Sequence, residues 1–148
     1  MIDYNLLNQQ LSALIKGVGN NVSILANAAA LLKEQTNWFW IGFYIVNDRQ
    51  LELGPFQGPV ACFTIPFGKG VCGTVWKLQQ TLRVPDVHQF PGHIACSSLS
   101  NSEIVLPIFK NNSVFGVLDI DSTEFDDFSI EDQRGLEQFC QILAEALN

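Results

Sequence analysis

Basic residues are scarce in this chain: eight Lys and Arg stand against 15 Asp and Glu, for a formal net charge of −7 at pH 7 and a pI near 4.6. Contact with a phosphate backbone needs concentrated positive charge, so a nucleic-acid partner is excluded. No apolar run approaches the roughly 18 residues of a membrane span. The start, Met1-Ile2-Asp3-Tyr4, lacks the basic region and apolar core of a signal peptide, so no membrane attachment and a cytoplasmic location are expected. Internal repeats, linkers and low-complexity stretches are absent, and 148 residues are read as a single domain, 1–148. The four cysteines include no CxxC pair and no zinc-finger spacing. In a reducing compartment they would rest as thiols, and a disulfide among them is expected to be transient and catalytic rather than structural.

What is present is apolar bulk. A content of 47% hydrophobic residues, with 11 Phe and three Trp, excludes disorder and supplies a core. Leu7, Leu11, Leu14, Ile15 and Val18 form the stripe of a first helix that ends near Gly17 and Gly19. A second helix begins with Asn20 or Asn21 as N-cap and places Val22, Leu25, Ala26, Ala29 and Leu32 on one face. From Trp38 the period changes to that of strands: Trp38 to Asn47 and Gln50 to Gln57 read as a hairpin. Short strands around Ala61–Ile65 and Thr81–Val84 flank a glycine-rich loop that opens a helix to Leu78. Pro85 to Asn101 is a long aperiodic loop. Strands Glu103–Phe109 and Val114–Asp121 then flank Asn111-Asn112, and a last helix starts at Ser129, with Asp132 completing a capping box. Its buried stripe is Leu136, Phe139, Cys140, Leu143 and Leu147. The class is α+β: one antiparallel sheet packed against helices from both ends of the chain.

Three cysteines, Cys62, Cys72 and Cys96, fall in one central stretch together with both histidines, His88 and His93. That pattern suggests thiol chemistry between residues brought together by folding. A loop thiol such as Cys96 is nucleophilic only where its thiolate is stabilised, by His93 or by backbone amides. The same residues are in principle a tetrahedral zinc set, but no close ligand pair other than the loop histidines supports one. Cys140 reads as a small core residue.

Asp119 and Asp121 alternate with Leu118 and Ile120, so on a strand the two carboxylates share one face. That face is either wet, or it buries two acids that need a cation or a shared proton. Glu103 joins them only in the right register. A two-residue Asn111-Asn112 turn pairs Glu103 with Ile120 and points it away, whereas a three-residue loop, Lys110 to Asn112, pairs it with Asp119. The cluster therefore requires an odd-length turn or a bulge. Crowded acids would hold an ammonium group, and one of them would retain a proton as a general acid. Trp38, Trp40 and Tyr44 share a strand face by their even spacing, either as core or as an aromatic wall for a ligand.

Several long motifs, in order, carry a resemblance: Gly54-Pro55-Phe56-Gln57-Gly58, Ala61-Cys62, Gly68-Lys69-Gly70-Val71-Cys72-Gly73, Asp86-Val87-His88, Gly92-His93-Ile94-Ala95-Cys96, Ser100-Asn101-Ser102-Glu103-Ile104-Val105-Leu106-Pro107 and Gly116-Val117-Leu118-Asp119-Ile120-Asp121-Ser122. Over essentially its whole length the chain resembles the free methionine-(R)-sulfoxide reductases, which are stand-alone GAF-domain enzymes. It departs at Pro59 and Thr64, where many relatives carry basic residues; neither position touches the thiols or the acids. The resemblance implies a GAF-like fold with Cys96 as catalytic cysteine, Cys62 as resolving cysteine, and Cys72 as a third thiol able to join the disulfide relay. It implies that Glu103, Asp119 and Asp121 bind and polarise the substrate, with Glu103 and Asp121 taking part in catalysis. Trp40 and Tyr44 would line the pocket, the indole beside the substrate S-methyl group.

The implied reaction is reduction of free methionine-(R)-sulfoxide through a Cys96 sulfenic acid and an intramolecular disulfide. Thioredoxin would serve as reductant, no cofactor or metal would be needed, and the protein would be a homodimer. The alternative is a non-catalytic GAF sensor of a small ligand or of redox state. The lack of an output domain and the presence of three central cysteines speak against it.

Overall fold

The computed structural model describes residues 1–94 and 96–148; Ala95, part of the Gly92–Cys96 motif, lies outside the described residues. Helix α1 (Tyr4–Ile15) opens where Asp3 caps it by accepting from the Leu6 amide. It buries Leu7, Leu11 and Ile15, while Leu14 and Val18 stay exposed, so the expected stripe is narrower by two residues. Helix α2 (Asn21–Gln35) is capped by Asn20, whose side chain accepts from the Ser23 amide. Its buried face is Ile24, Leu25, Ala28, Ala29 and Leu32; Val22 and Ala26 face solvent, contrary to expectation. Alanines at 26, 28, 29 and 30 spread apolar character around the helix, so packing rather than periodicity chose the face.

Strands β1 (Trp40–Asn47), β2 (Gln50–Gln57), β3 (Thr64–Pro66), β4 (Leu82–Val84), β5 (Ser102–Lys110) and β6 (Ser113–Ser122) form one sheet in the order β3-β2-β1-β6-β5-β4. Every neighbouring pair is antiparallel. Cys62 lies before β3 rather than within a strand, as the chain from Gly58 to Phe63 has no regular structure. Helix α3 (Gly70–Leu78) follows β3, and α4 (Ile130–Ala146) closes the chain with the Ser129–Asp132 capping box in place.

The sheet separates two apolar layers. Ile41, Phe43, Ile104, Leu106, Ile108, Leu118 and Ile120 face α1, α2 and α4, including Leu136, Phe139, Cys140 and Leu143. Residues one position along each strand, Trp40, Tyr44, Val105 and Val117, face α3 and the loops with Val71, Cys72 and Val75. Trp38 precedes β1 and packs in the first layer against Phe128, with ring centroids 5.1 Å apart, so it does not share the face of Trp40 and Tyr44. Among the described residues no helix is long and apolar enough to cross a membrane.

The β5–β6 hairpin sets the register on which the second layer depends. Its turn is the two-residue Asn111-Asn112, both residues left-handed with φ of 53° and 65°, the backbone that a tight hairpin with native twist requires. Left to itself such a turn pairs Glu103 with Ile120. Between Ile108↔Gly116 and Phe109↔Val114 the ladder slips by one residue, leaving Phe115 as the extra residue of a bulge. Glu103 therefore pairs with Asp121, neither Ile120 nor Asp119, and all three acids point to one face.

Candidate active site

Register builds the floor of the site. Trp40 pairs with Asp121, Asp121 with Glu103 and Glu103 with Val84, a row of side chains crossing four strands. One step along, Gly42 pairs with Asp119 and Asp119 with Val105. Gly42 is required there: a Cβ would come within 2.6 Å of the Trp40 ring and would also overlap the Cβ of Phe56. The freed space lets the Trp40 indole lie between Phe56 and Tyr44, with centroids 5.2 and 5.9 Å away.

The two aromatic side chains also hold the roof. Trp40 Nε1 donates to the Pro59 carbonyl at 3.0 Å, and the Tyr44 hydroxyl donates to the Cys62 carbonyl at 2.9 Å. At its other end, the Leu53 amide donates to the Phe63 carbonyl at 2.9 Å. The second roof segment comes from the long loop, bearing His93, Ile94, Cys96, Ser97 and Ser100. Cys62 and Cys96 are joined by a disulfide, with Cα atoms 5.4 Å apart across 34 positions of sequence. Helix α3 supplies Gly70, Val71 and Cys72 to the wall. Gly70, at φ +62°, is where the chain turns into that helix under Ile94, whose Cγ1 would lie 3.1 Å from an added Cβ.

One pocket thus gathers Cys96, Cys72, Trp40, Tyr44, Glu103, Asp119 and Asp121, and Cys62 is covalently tied to its rim. The aspartate face is largely removed from solvent: Glu103 is 5% and Asp119 6% exposed, and Asp121 is half-buried. Burial and the neighbouring Asp119 and Asp121 push the Glu103 carboxyl well above its usual range. Burial raises Asp121 as well, with Asp119 adding to it. Asp119 is raised by burial too, but hydrogen bonds from Glu103 and Cys72 oppose the rise. The arrangement is that of crowded acids in which Glu103 and Asp121 are both pushed well up and Asp119 accepts from Glu103. Burial, followed by the field of Asp119 and Glu103, drives the Cys72 thiol well upward, so it is a poor nucleophile where it sits. Burial, with Asp119 next, raises the Tyr44 phenol and keeps it a donor.

His93 lines the pocket with Nε2 3.8 Å from Glu103 Oε1, and burial lowers its pKa, favouring the neutral ring over an imidazolium. His88 turns away, its Nε2 3.0 Å from Asn101 Oδ1. Cys140 sits in the opposite layer, 3% exposed, as its helical spacing predicts.

Donor atoms of Cys72, Glu103 and Asp119 converge within 4.8 Å of one another, a possible cation set among the described residues. Of the residues weighed as a zinc set from sequence, Cys72 takes part in this cluster, His88 turns away, and Cys62 and Cys96 are bonded to each other.

Sequence reasoning missed Ser100. It is 5% exposed, lines the pocket, and its hydroxyl has no partner; nor does Asp119 Oδ1. Buried polar atoms left open toward a cavity mark where a ligand's polar groups fit. Nothing in the run Ser97-Ser98-Leu99-Ser100 distinguishes this serine from its neighbours.

The comparisons with known proteins agree with this geometry. The GAF domain family matches residues 22–148. The chain is 51% identical over 142 residues to the free methionine-R-sulfoxide reductase of Escherichia coli, covering 95% of this chain and 86% of that one. The structure of fRMsr of Staphylococcus aureus in its reduced form superposes with a TM-score of 0.97 at 46% identity, covering 100% of this chain and 97% of that one. The free methionine-R-sulfoxide reductase of Neisseria meningitidis, solved in complex with its substrate, gives a TM-score of 0.95 at 46% identity, with 97% and 87% coverage. By fold, by sequence and by the pocket its strands assemble, this chain belongs to the GAF-domain family of the free methionine-R-sulfoxide reductases.

Proposed function

We propose that this protein, as a single GAF domain spanning 1–148, reduces free L-methionine (R)-S-oxide to L-methionine, with Cys96 as nucleophile. The observation that carries the proposal is the convergence of Cys96 in one pocket with two buried carboxyls, Glu103 and Asp119, and the half-buried Asp121, all with raised pKa. A sulfoxide oxygen must gain a proton before its bond to sulfur will break. Glu103, kept neutral by burial and by its acidic neighbours, is placed to supply that proton while the reduced Cys96 thiolate attacks sulfur. The sulfur–sulfur bond formed by that attack then breaks as the hydroxyl shifts from the substrate sulfur to Cys96, so that methionine departs with its lone pair restored and Cys96 is left as a sulfenic acid.

The Cys62 thiol then attacks the sulfenic sulfur. The S–O bond breaks, an S–S bond forms, and water leaves with the thiol proton. The Cys62–Cys96 bridge is the product of that step. Two electrons from an external dithiol, thioredoxin, restore both thiols. Asp119 and Asp121 receive the α-ammonium of the substrate. Trp40 covers its methyl group, and the roof segment tied down by Trp40 and Tyr44 crowds the pocket, which favours the free amino acid over a residue within a peptide chain. Cys72, buried and with a raised pKa, is a reserve in the relay rather than the first nucleophile.

The test is to incubate the fully reduced protein with each epimer of free methionine sulfoxide. Consumption of the R form alone is expected; binding without turnover of either epimer would make the protein a sensor instead. Cys96→Ser should form no methionine. Cys62→Ser should form about one equivalent and then stall with thioredoxin.

A further inference from the structure

We propose that Val60, Phe63 and Leu99 form an exposed apolar collar on which the reducing dithiol protein docks, and that its thiolate attacks Cys62 rather than Cys96. The inference rests on the reading above and adds the partner's contact surface and the sulfur attacked.

Val60 is 90%, Phe63 81% and Leu99 59% exposed. Val60 and Phe63 bracket Cys62, and Leu99 follows Cys96 by three positions, so the disulfide brings them around one spot. Hydrogen bonds from Trp40 to Pro59, Tyr44 to Cys62 and Leu53 to Phe63 fix the backbone of the segment that carries Val60 and Phe63, with Val60 at the rim of the pocket and Phe63 outside it. An apolar patch kept outside in this way marks an interaction site. What covers it is indicated by what it surrounds: a disulfide that only an incoming thiol can open, with both sulfur-bearing residues partly accessible.

Charge points the same way. The chain carries 15 acidic residues, yet none falls between Leu53 and Pro85 or between Val87 and Ser102, the two stretches that carry the bridge. A partner that docks there meets no carboxylate from those stretches, although the chain as a whole carries a net charge of −7, and finds Lys69 in the first of them.

The choice of sulfur follows from the pocket. Cys96 lines it and Cys62 does not, so attack at Cys96 would draw the reductant toward the substrate cavity. At Cys62 the reductant thiolate bonds to Sγ, the Cys62–Cys96 bond breaks, and its electron pair leaves on Cys96 as the thiolate needed for the next substrate. The partner's second thiol gives up its proton and attacks the mixed disulfide. The partner becomes a disulfide, and Cys62 leaves and takes up a proton.

The test reduces the oxidised protein with no sulfoxide present and counts the thiols released, once with thioredoxin and once with dithiothreitol. Phe63→Ser combined with Leu99→Ser should slow reduction by thioredoxin roughly tenfold or more and leave reduction by dithiothreitol unchanged. A thioredoxin that retains only its nucleophilic cysteine should be trapped on Cys62, as read by peptide mass mapping. Unchanged thioredoxin rates, equal slowing with dithiothreitol, failure of thioredoxin to open the wild-type bridge, or an adduct on Cys96 would each overturn the inference. Failure of the wild type to reduce free sulfoxide with dithiothreitol would strike the proposed function instead.

Discussion

Replacing Glu103 with Gln should make this protein more stable and inactive at the same time, and the gain should grow with pH. In the fold, burial and two neighbouring aspartates raise the Glu103 pKa well above its usual value, whereas the unfolded chain releases the proton near pH 4.3. At low pH both states are protonated and Glu103 contributes no penalty. As pH rises past the unfolded value, the native state holds a proton that the unfolded state has lost. Stability then falls by up to about 1.4 kcal/mol per pH unit until the native carboxyl itself ionises. Gln removes this titration while keeping the shape and a donor toward Asp119. The titrations of Asp119 and Asp121 remain in both proteins and largely cancel. Between pH 5.5 and 7.5, therefore, the stability of the Glu103→Gln variant relative to wild type should grow by up to about 2.7 kcal/mol. Urea unfolding followed by the fluorescence of the three tryptophans, with the disulfide intact, measures it. Loss of the proton donor should lower kcat by roughly 10²- to 10⁴-fold. A stability gap that stays constant across those pH values would show that Glu103 does not hold the proton, and the reasoning would fail.

Gly42→Ala should cost about 1–3 kcal/mol by overpacking, because the new methyl overlaps the Trp40 ring and Phe56 Cβ; it should also raise KM as the indole shifts. A thermal melt and steady-state kinetics check this, and an unchanged Tm with unchanged KM would contradict the role given to Gly42. Ser129→Ala removes a cap whose hydroxyl accepts from the Asp132 amide at 3.0 Å, while Asp132 returns a bond to the Ser129 amide at 2.9 Å and accepts from the Tyr4 hydroxyl at 2.6 Å. It should destabilise by roughly 0.5–2 kcal/mol with kcat/KM unaltered, since the cap lies on the layer opposite the pocket; altered catalysis would mean the two layers are coupled.

The amino-acid order by itself determined what depends on neighbours in the chain. The Ser129–Asp132 capping box, the helix start at Asn20 or Asn21 and the alternation of Leu118, Asp119, Ile120 and Asp121 were legible because each is a local pattern with a local physical cause. So were the long motifs that join the chain to its family. The buried face of α2 was not legible, since a helix rich in alanine offers several apolar faces and only the sheet decides among them. Nor did even spacing reveal that Trp38 stands outside β1 and packs in the other layer. Tertiary structure alone settled whether Glu103 meets the aspartates. That outcome turns on one extra residue near Phe115, and register is a relation between strands that no single strand encodes. The burial that raises the pKa of these acids, and the approach of Cys62 to Cys96 across 34 positions, likewise exist only once the sheet and its two roof segments have closed around the same space.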